Sequence, residues 1–374
     1  MTMTTCMTRA RLAVAFALLV ATASVASAEP LDLGRVPAKA VWMMHADMDA
    51  ARESTVVKRM YERAIKKHPQ LETMLGMGTK MMGMDPRKDL IDVTAYGLDT
   101  DKKNAVLVVR GNVNREFLEK MVEKARDHKT MKHRDYTLHQ WTHKGWKGGE
   151  GKTVVGAFFK DDVMVFARSA DRVEMALDVL AGEAESVGDD SPLAGRTRPG
   201  SILVARAVAI DPDTKCPVLR QGRGYRVAMG ESDGMSFYRA RLEMDSDEAA
   251  RQAEAVTEGI VALGKLRFGD DNKKMMQLID GVETMTSGST SSIAWDAKAD
   301  DVWTVAEKLA EKMEAKLAAR RQQWGGRKSG CGDCEQEGCE KGNCEKGKCP
   351  MDKQGSAEDG GQEDGRRPFR DDEF

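Results

Sequence analysis

No charge of one sign dominates this sequence. Its 374 residues carry 58 Lys and Arg against 60 Asp and Glu, a formal net charge of −2. Nucleic-acid binding needs a concentrated basic footprint, and that balance does not provide one. Beyond the N-terminal segment there is no run of ~18 apolar residues, so no transmembrane segment is expected after signal cleavage. No set of residues supplies a nucleophile, a base and an orienting group together, which points to a non-enzymatic protein.

Two motifs resemble catalytic signatures and fail on context. Gly230-Glu231-Ser232-Asp233-Gly234 matches G-x-S-x-G. A nucleophile elbow needs a helix after the serine and, in that fold, a later histidine. Here the alternating MSFYRARLEM follows, and the last histidine is His143. A hairpin turn is expected instead. Gly149-Glu150-Gly151-Lys152-Thr153 ends like a phosphate-binding loop. The first glycine of that loop would fall on Trp146, and the strand-like VVGAFF follows where a helix belongs.

The N-terminus reads as a secretory signal peptide. Arg9 and Arg11 precede an apolar run from Leu12 to Ala21, and Ala26-Ser27-Ala28 is a small-x-small cleavage site. The mature chain is therefore expected to start at Glu29 and to be exported, to the periplasm or beyond. Cys6 would leave with the peptide.

Past that point, apolar runs with turns between them alternate with amphipathic stretches. An opening strand at AVWMMHADMD is matched by SILVARAVAID. The strand pair DVTAYGL/AVLVVRG is matched by YRVAMG/MSFYRARLEM, and each pair leads into a helix, from Asn114 and from Asp245. Asp245 and Glu248 suggest a capping box. A further strand pair and a closing helix follow in both halves. The first such pair is Val154–Phe159 with Val163–Ala167, leading to a helix capped at Ser169. The last helix is expected from Asp301 to Gln323. This order predicts an α+β fold of two related halves, each an antiparallel sheet with helices on one face. The first half should carry an extra helical segment between Ala51 and Met82. The predicted plan is a signal peptide over 1–28, a first domain over 29–185, a join at 186–200, a second domain over 201–324 and a disordered charged tail over 325–374.

Gly83, Asp85, Pro86 and Asp89 form a Gly-x-Asp-Pro-x-x-Asp segment ahead of a strand pair. The segment resembles a junction in a family of uncharacterised exported bacterial proteins that also share an opening strand after Pro-Ala, here Pro37-Ala38. The resemblance covers the first half well and the second loosely. It implies the α+β arrangement and no known activity. In residue terms, Pro86 sets a turn and Asp85 can cap it.

Three clusters carry possible chemistry. Met74, Met77 and Met81, with Met82 and Met84 nearby, sit at helical spacing and read as core before soft-metal ligands. His139 and His143 share a strand face, but the basic residues Lys124, Arg126, Lys129, Lys132, Arg134, Lys144 and Lys147 surround them. A solvated surface is the plain reading, and an anionic envelope component is the partner the 124–147 stretch would suit. The tail holds Cys331, Cys334, Cys339, Cys344 and Cys349. Such thiolates can wrap Zn or Cu(I). Only Cys331 and Cys334 form a close pair, so the spacing fits neither a zinc ribbon nor an iron–sulfur site. In an oxidising compartment disulfides are the stronger expectation. The reading is an exported envelope protein of structural or binding role, with a soft-metal or thiol-redox protein acting through the tail as the alternative.

Overall fold

The computed structural model describes residues 31–143, 151–268 and 273–328. Their elements, in order, are β1 (Trp42–Asp47), α1 (Met48–Glu53), α2 (Thr55–Lys67), α3 (Gln70–Met82), β2 (Leu90–Gly97), β3 (Val106–Gly111), α4 (Arg115–Glu123), β4 (Lys129–His133), β5 (Tyr136–His143), β6 (Lys152–Lys160), β7 (Val163–Ala167) and α5 (Ala170–Leu180). The second half follows with β8 (Ser201–Ala207), β9 (Gly222–Ser232), β10 (Met235–Met244), α6 (Asp247–Phe268), α7 (Lys273–Asp280), β11 (Val282–Ser287), β12 (Thr290–Lys298) and α8 (Ala299–Lys328). The chain divides into compact units after Lys312, so the last turns of α8 belong to a second unit.

All twelve strands form one sheet, in the order β11-β12-β10-β9-β8-β1-β2-β3-β7-β6-β5-β4, and every pairing is antiparallel. The fold is α+β, as the element order predicts. The internal correspondence is visible in the strand order. Outward from the seam, β1-β2-β3-β7-β6 answers β8-β9-β10-β12-β11. The β4–β5 hairpin and α1–α3 are additions to the first half. The seam is the β1–β8 pairing, with Met44 opposite Ala205.

Register fixes the two faces. One row of directly paired residues runs Leu138, Ala157, Val165, Val108, Thr94, His45, Val204, Ala228, Arg239, Ala294, Glu283. In the first half this face is covered by α5, whose Val173, Ala176 and Leu177 pack into the main core with Val108, Val165, Leu138 and Tyr96. The segment 186–200 is more than a connector: its Val187, Leu193 and Ala194 join the same core. Burial of the Val187 and Leu193 side chains contributes roughly 1.5–3 kcal/mol each.

The opposite face carries α4, α6 and α7. Ala249, Ala250 and Ala253 of α6 pack on Met244, with Leu242 beside them. Trp295 donates its indole N–H to Leu278 O of α7 at 2.7 Å. The first half has a helix on this face too, because Leu118, Met121 and Val122 of α4 lie over Val109, Trp141 and Phe166. Helices α4 and α5 of the first half therefore sit on opposite faces, whereas α6 and α7 share one.

Local expectations meet mixed outcomes. Asn114 caps α4, accepting from Phe117 N at 2.9 Å. Helix α6 is capped one residue later than the sequence pattern suggests: Ser246 Oγ accepts from Ala249 N at 3.1 Å, while Glu248 turns to Arg251 and Gln252. Ser169 stands at the start of α5 without a side-chain cap bond. Helix α8 runs on through Gly325 and Gly326 to Lys328, past the predicted start of the tail. Met74 and Met77 are exposed, not core, because α3 packs against α2 and makes few contacts with the sheet. The Gly-x-Asp-Pro-x-x-Asp junction is a self-bonded turn. Asp89 accepts from Asp85 N at 2.6 Å, and Asp85 accepts from Arg87 N at 3.0 Å. Gly83 ends α3 at φ +64, and a Cβ there would lie 2.7 Å from the Phe117 ring.

Candidate anion-binding cleft

The row next to the one traced above decides the site. Its paired residues read Val106, Tyr96, Met43, Arg206, Arg226, Arg241, Ser292, Met285. The row is apolar where α5 covers it and turns to three consecutive arginines where the sheet face is open. Like charges directly opposite one another across strands are destabilising unless something compensates them.

The open face forms a cleft of about 650 Å³, lined also by Arg196, Thr197, Arg239 and Glu283. Its floor holds Val204, Ala228 and Ala294, with Met285 at one side. Arg206 is almost fully buried, at 4% exposure. It donates to Leu193 O at 2.7 Å, to Gly195 O at 3.0 Å and to Thr197 Oγ1 at 3.0 Å. Arg226 donates to Ala194 O at 2.8 Å and Pro192 O at 2.7 Å. These bonds tie the 192–197 segment to the sheet, and carbonyl acceptors leave the positive charges unneutralised. Gly195, at φ +137, lets the backbone approach: a Cβ there would meet the Arg226 guanidinium at 2.8 Å.

Arg239 differs, because it pairs with Asp296, which also holds Arg198 at 2.8 Å. Among the described residues no acidic side chain forms an ion pair with Arg196, Arg206, Arg226 or Arg241. Burial lowers the pKa of Arg206, and the neighbouring Arg226 lowers it further. That is the electrostatic signature of a cation held beside another cation in a poorly solvated place.

Sequence reading did not find this cleft. The three arginines lie on three different strands, and only register brings Arg206, Arg226 and Arg241 together. The available signal was their periodicity: Arg239 and Arg241 occupy one face of MSFYRARLEM, and β8 and β9 each place an arginine at an inward position.

The residues singled out from sequence lie elsewhere. In the 124–147 stretch, Arg134 pairs with Asp178 at 3.0 Å and Glu183 at 3.3 Å, and Arg126 lies 3.5 Å from Asp127. His133 also meets Asp178, at 2.9 Å. Two of the five described basic residues named in that stretch, Arg126 and Arg134, are thus paired within the protein, while 144–150 lie outside the described residues. His139 bonds His128 across 3.1 Å, and burial, followed by His128, lowers its pKa. It borders a second cavity of about 290 Å³ beneath α4, lined by Trp141, Phe158, Met164 and Phe166. Ser232 sits at the end of β9 before the Asp233-Gly234 turn, both with positive φ, so the G-x-S-x-G match is a hairpin. The five tail cysteines and the signal segment lie outside the described residues. Cys216 is exposed with a free thiol. No described group of three or more His, Cys, Asp or Glu is placed to hold a metal ion. No described helix is long and apolar enough to cross a membrane.

No family model matches the chain, and no curated protein does. Among solved structures, the chain is similar to TP0453. Crystal form III gives a TM-score of 0.39 at 10% identity, over 76% of this chain and 99% of that one. Crystal form I gives 0.36 at 11% identity, over 76% and 98%.

Proposed function

We propose that this is an exported cell-envelope protein that acts by binding, not catalysis, and that it holds an anionic ligand in the arginine cleft. The observation that carries the reading is the cross-strand row Arg206–Arg226–Arg241, open to solvent along one side and without carboxylate partners among the described residues. Guanidiniums donate hydrogen bonds and keep their protons near neutrality, so a site built from them recognises and does not exchange protons. Export is supported by the charged segment at Arg9 and Arg11, the apolar run after it and the Ala26-Ser27-Ala28 site.

The binding half of the proposal is tested by calorimetric titration of the mature chain, residues 29–374, with sodium phosphate, sodium sulfate and sodium naphthalene-1-sulfonate at matched ionic strength. Saturable binding of at least one of them is expected, with loss in the Arg196→Gln/Arg241→Gln double variant. Both side chains are exposed, so the variant should fold. Absence of saturable binding by all three anions would overturn it. The export half is tested by N-terminal sequencing of protein from the envelope fraction, where Glu29 is the expected first residue. A mature form retaining residues upstream of Ala26 would refute it.

A further inference from the structure

We infer that the anion is a phosphate monoester whose apolar body lies on the cleft floor, an assignment that rests on the anion-binding reading of the same cleft. The first argument is charge. Arg196, Arg206, Arg226 and Arg241 face the cleft without an ion-pair partner among the described residues, and Glu283 is the single acidic residue of the lining. A monoanion would leave most of that charge uncompensated in a recess where Coulomb interactions weigh more than in bulk water. A phosphate monoester brings about −1.5 to −2 at neutral pH, on three acceptor oxygens.

The second argument is donor geometry. Arg206 already commits its terminal nitrogens to Leu193 O, Gly195 O and Thr197 Oγ1, so it is fixed in place and acts as a charge at the cleft base. Arg226 is oriented by two carbonyl bonds and keeps further N–H groups. Arg241, its cross-strand neighbour on β10, is exposed. Adjacent strands lie about 4.8 Å apart. A tetrahedral anion over that pair can therefore take hydrogen bonds from both forks, the arrangement that suits arginine to phosphate.

The third argument is the floor. Ala228 and Ala294 present an apolar strip beside the arginines, over the buried Val204, with the exposed Met285 at its edge. Bare inorganic phosphate would leave this strip in water, whereas an ester carrying an apolar group would cover it. The cleft volume of about 650 Å³ leaves room for such a body.

The soluble probes are 1-naphthyl phosphate and naphthalene-1-sulfonate, which share one apolar body and differ in charge. The phosphate is expected to bind about tenfold more tightly than the sulfonate, and more tightly than inorganic phosphate. Arg241→Gln should erase the preference. Vesicles distinguish the source: binding to phosphatidic acid vesicles but not phosphatidylglycerol vesicles makes the monoester a lipid headgroup, and binding of the soluble ester alone makes it a soluble metabolite. Either result supports the assignment. Equal affinity for the two naphthyl compounds, or a preference that survives Arg241→Gln, would overturn the ligand class while leaving an anion site. Failure of every anion to bind would overturn the cleft itself.

Discussion

The Glu231 carboxylate accepts a 2.7 Å hydrogen bond from the Ser54 hydroxyl, joining the end of a second-half strand to the start of a first-half helix. It also accepts from Thr55 N at 3.0 Å and Val56 N at 3.3 Å, while Ser54 Oγ accepts from Val57 N at 3.2 Å. Glu231 thus places an anion on the positive end of α2, where orphan N–H groups would otherwise need water. Glu231→Gln should lower stability by about 1 kcal/mol, the usual value of a lost cap. Ser54→Ala should cost a similar amount, and the double variant less than the sum, because the two groups share one network. Denaturant titration of the four proteins measures this. Strict additivity would show that the groups act independently.

The same carboxylate gives a pH signature. Burial alone would raise its pKa, but the bonds from Ser54, Thr55 and Val56 more than offset that and leave it lowered. A lowered folded value means the contribution is complete above the ordinary glutamate range and fades as pH falls through the folded value. The Glu231→Gln penalty should therefore shrink in acid. A penalty constant from neutrality to pH 3 would contradict the assignment.

His45 should act at higher pH. Its ring is buried at 5% exposure and meets Thr94 Oγ1 at 2.9 Å. Burial lowers its pKa, with Asp92 and Asp47 opposing and Arg35 and Arg110 reinforcing. The neutral ring is the folded form, so stability is complete above about 6.5 and declines as pH falls toward the depressed folded value. His45→Gln should flatten the stability profile below about pH 6.5. An unchanged slope would show that other groups set it.

Leu193 tests the role of the segment between the halves. It is 1% exposed and packs in the first-half core, while its carbonyl accepts from Arg206. Leu193→Ala should cost about 2–5 kcal/mol, as for a core leucine. A loss below about 0.5 kcal/mol, the range of surface substitutions, would mean the segment only connects.

The tail cysteines separate by reagent. A disulfide-bridged tail should respond to reductant and ignore chelator, whereas a Zn or Cu(I) cluster should release its ion to chelator or acid. The disulfide outcome is expected outside the cytoplasm. Deleting residues 329–374 should leave the melting temperature of the remainder nearly unchanged. A large drop would show that the tail packs on the folded part.

Much of the fold was legible because its signals are local. Asn114 marks the start of α4 within four residues of sequence, and the Asp233-Gly234 turn announces the β9–β10 hairpin. The repeat of strand, hairpin, helix, hairpin, helix could be read twice along the chain. What could not be read was register. Whether Arg226 faces Arg206 or its neighbour depends on a one-residue choice that flips the whole face. The exposure of Met74 and Met77 was hidden for a related reason. Their spacing marks a stripe, and spacing does not say whether anything covers it.

The β1–β8 seam has a consequence for the order of events as the chain emerges. Trp42 must find Ala207, which lies beyond the whole first half in sequence. Until β8 arrives, β1 is paired on its β2 side alone and presents a bare strand edge to whatever is nearby. An edge of that kind recruits other chains, and distant pairings form late. A newly made molecule therefore passes through a period in which its centre, not its rim, is the adhesive part, and holding that edge apart from other copies is the step on which its yield depends.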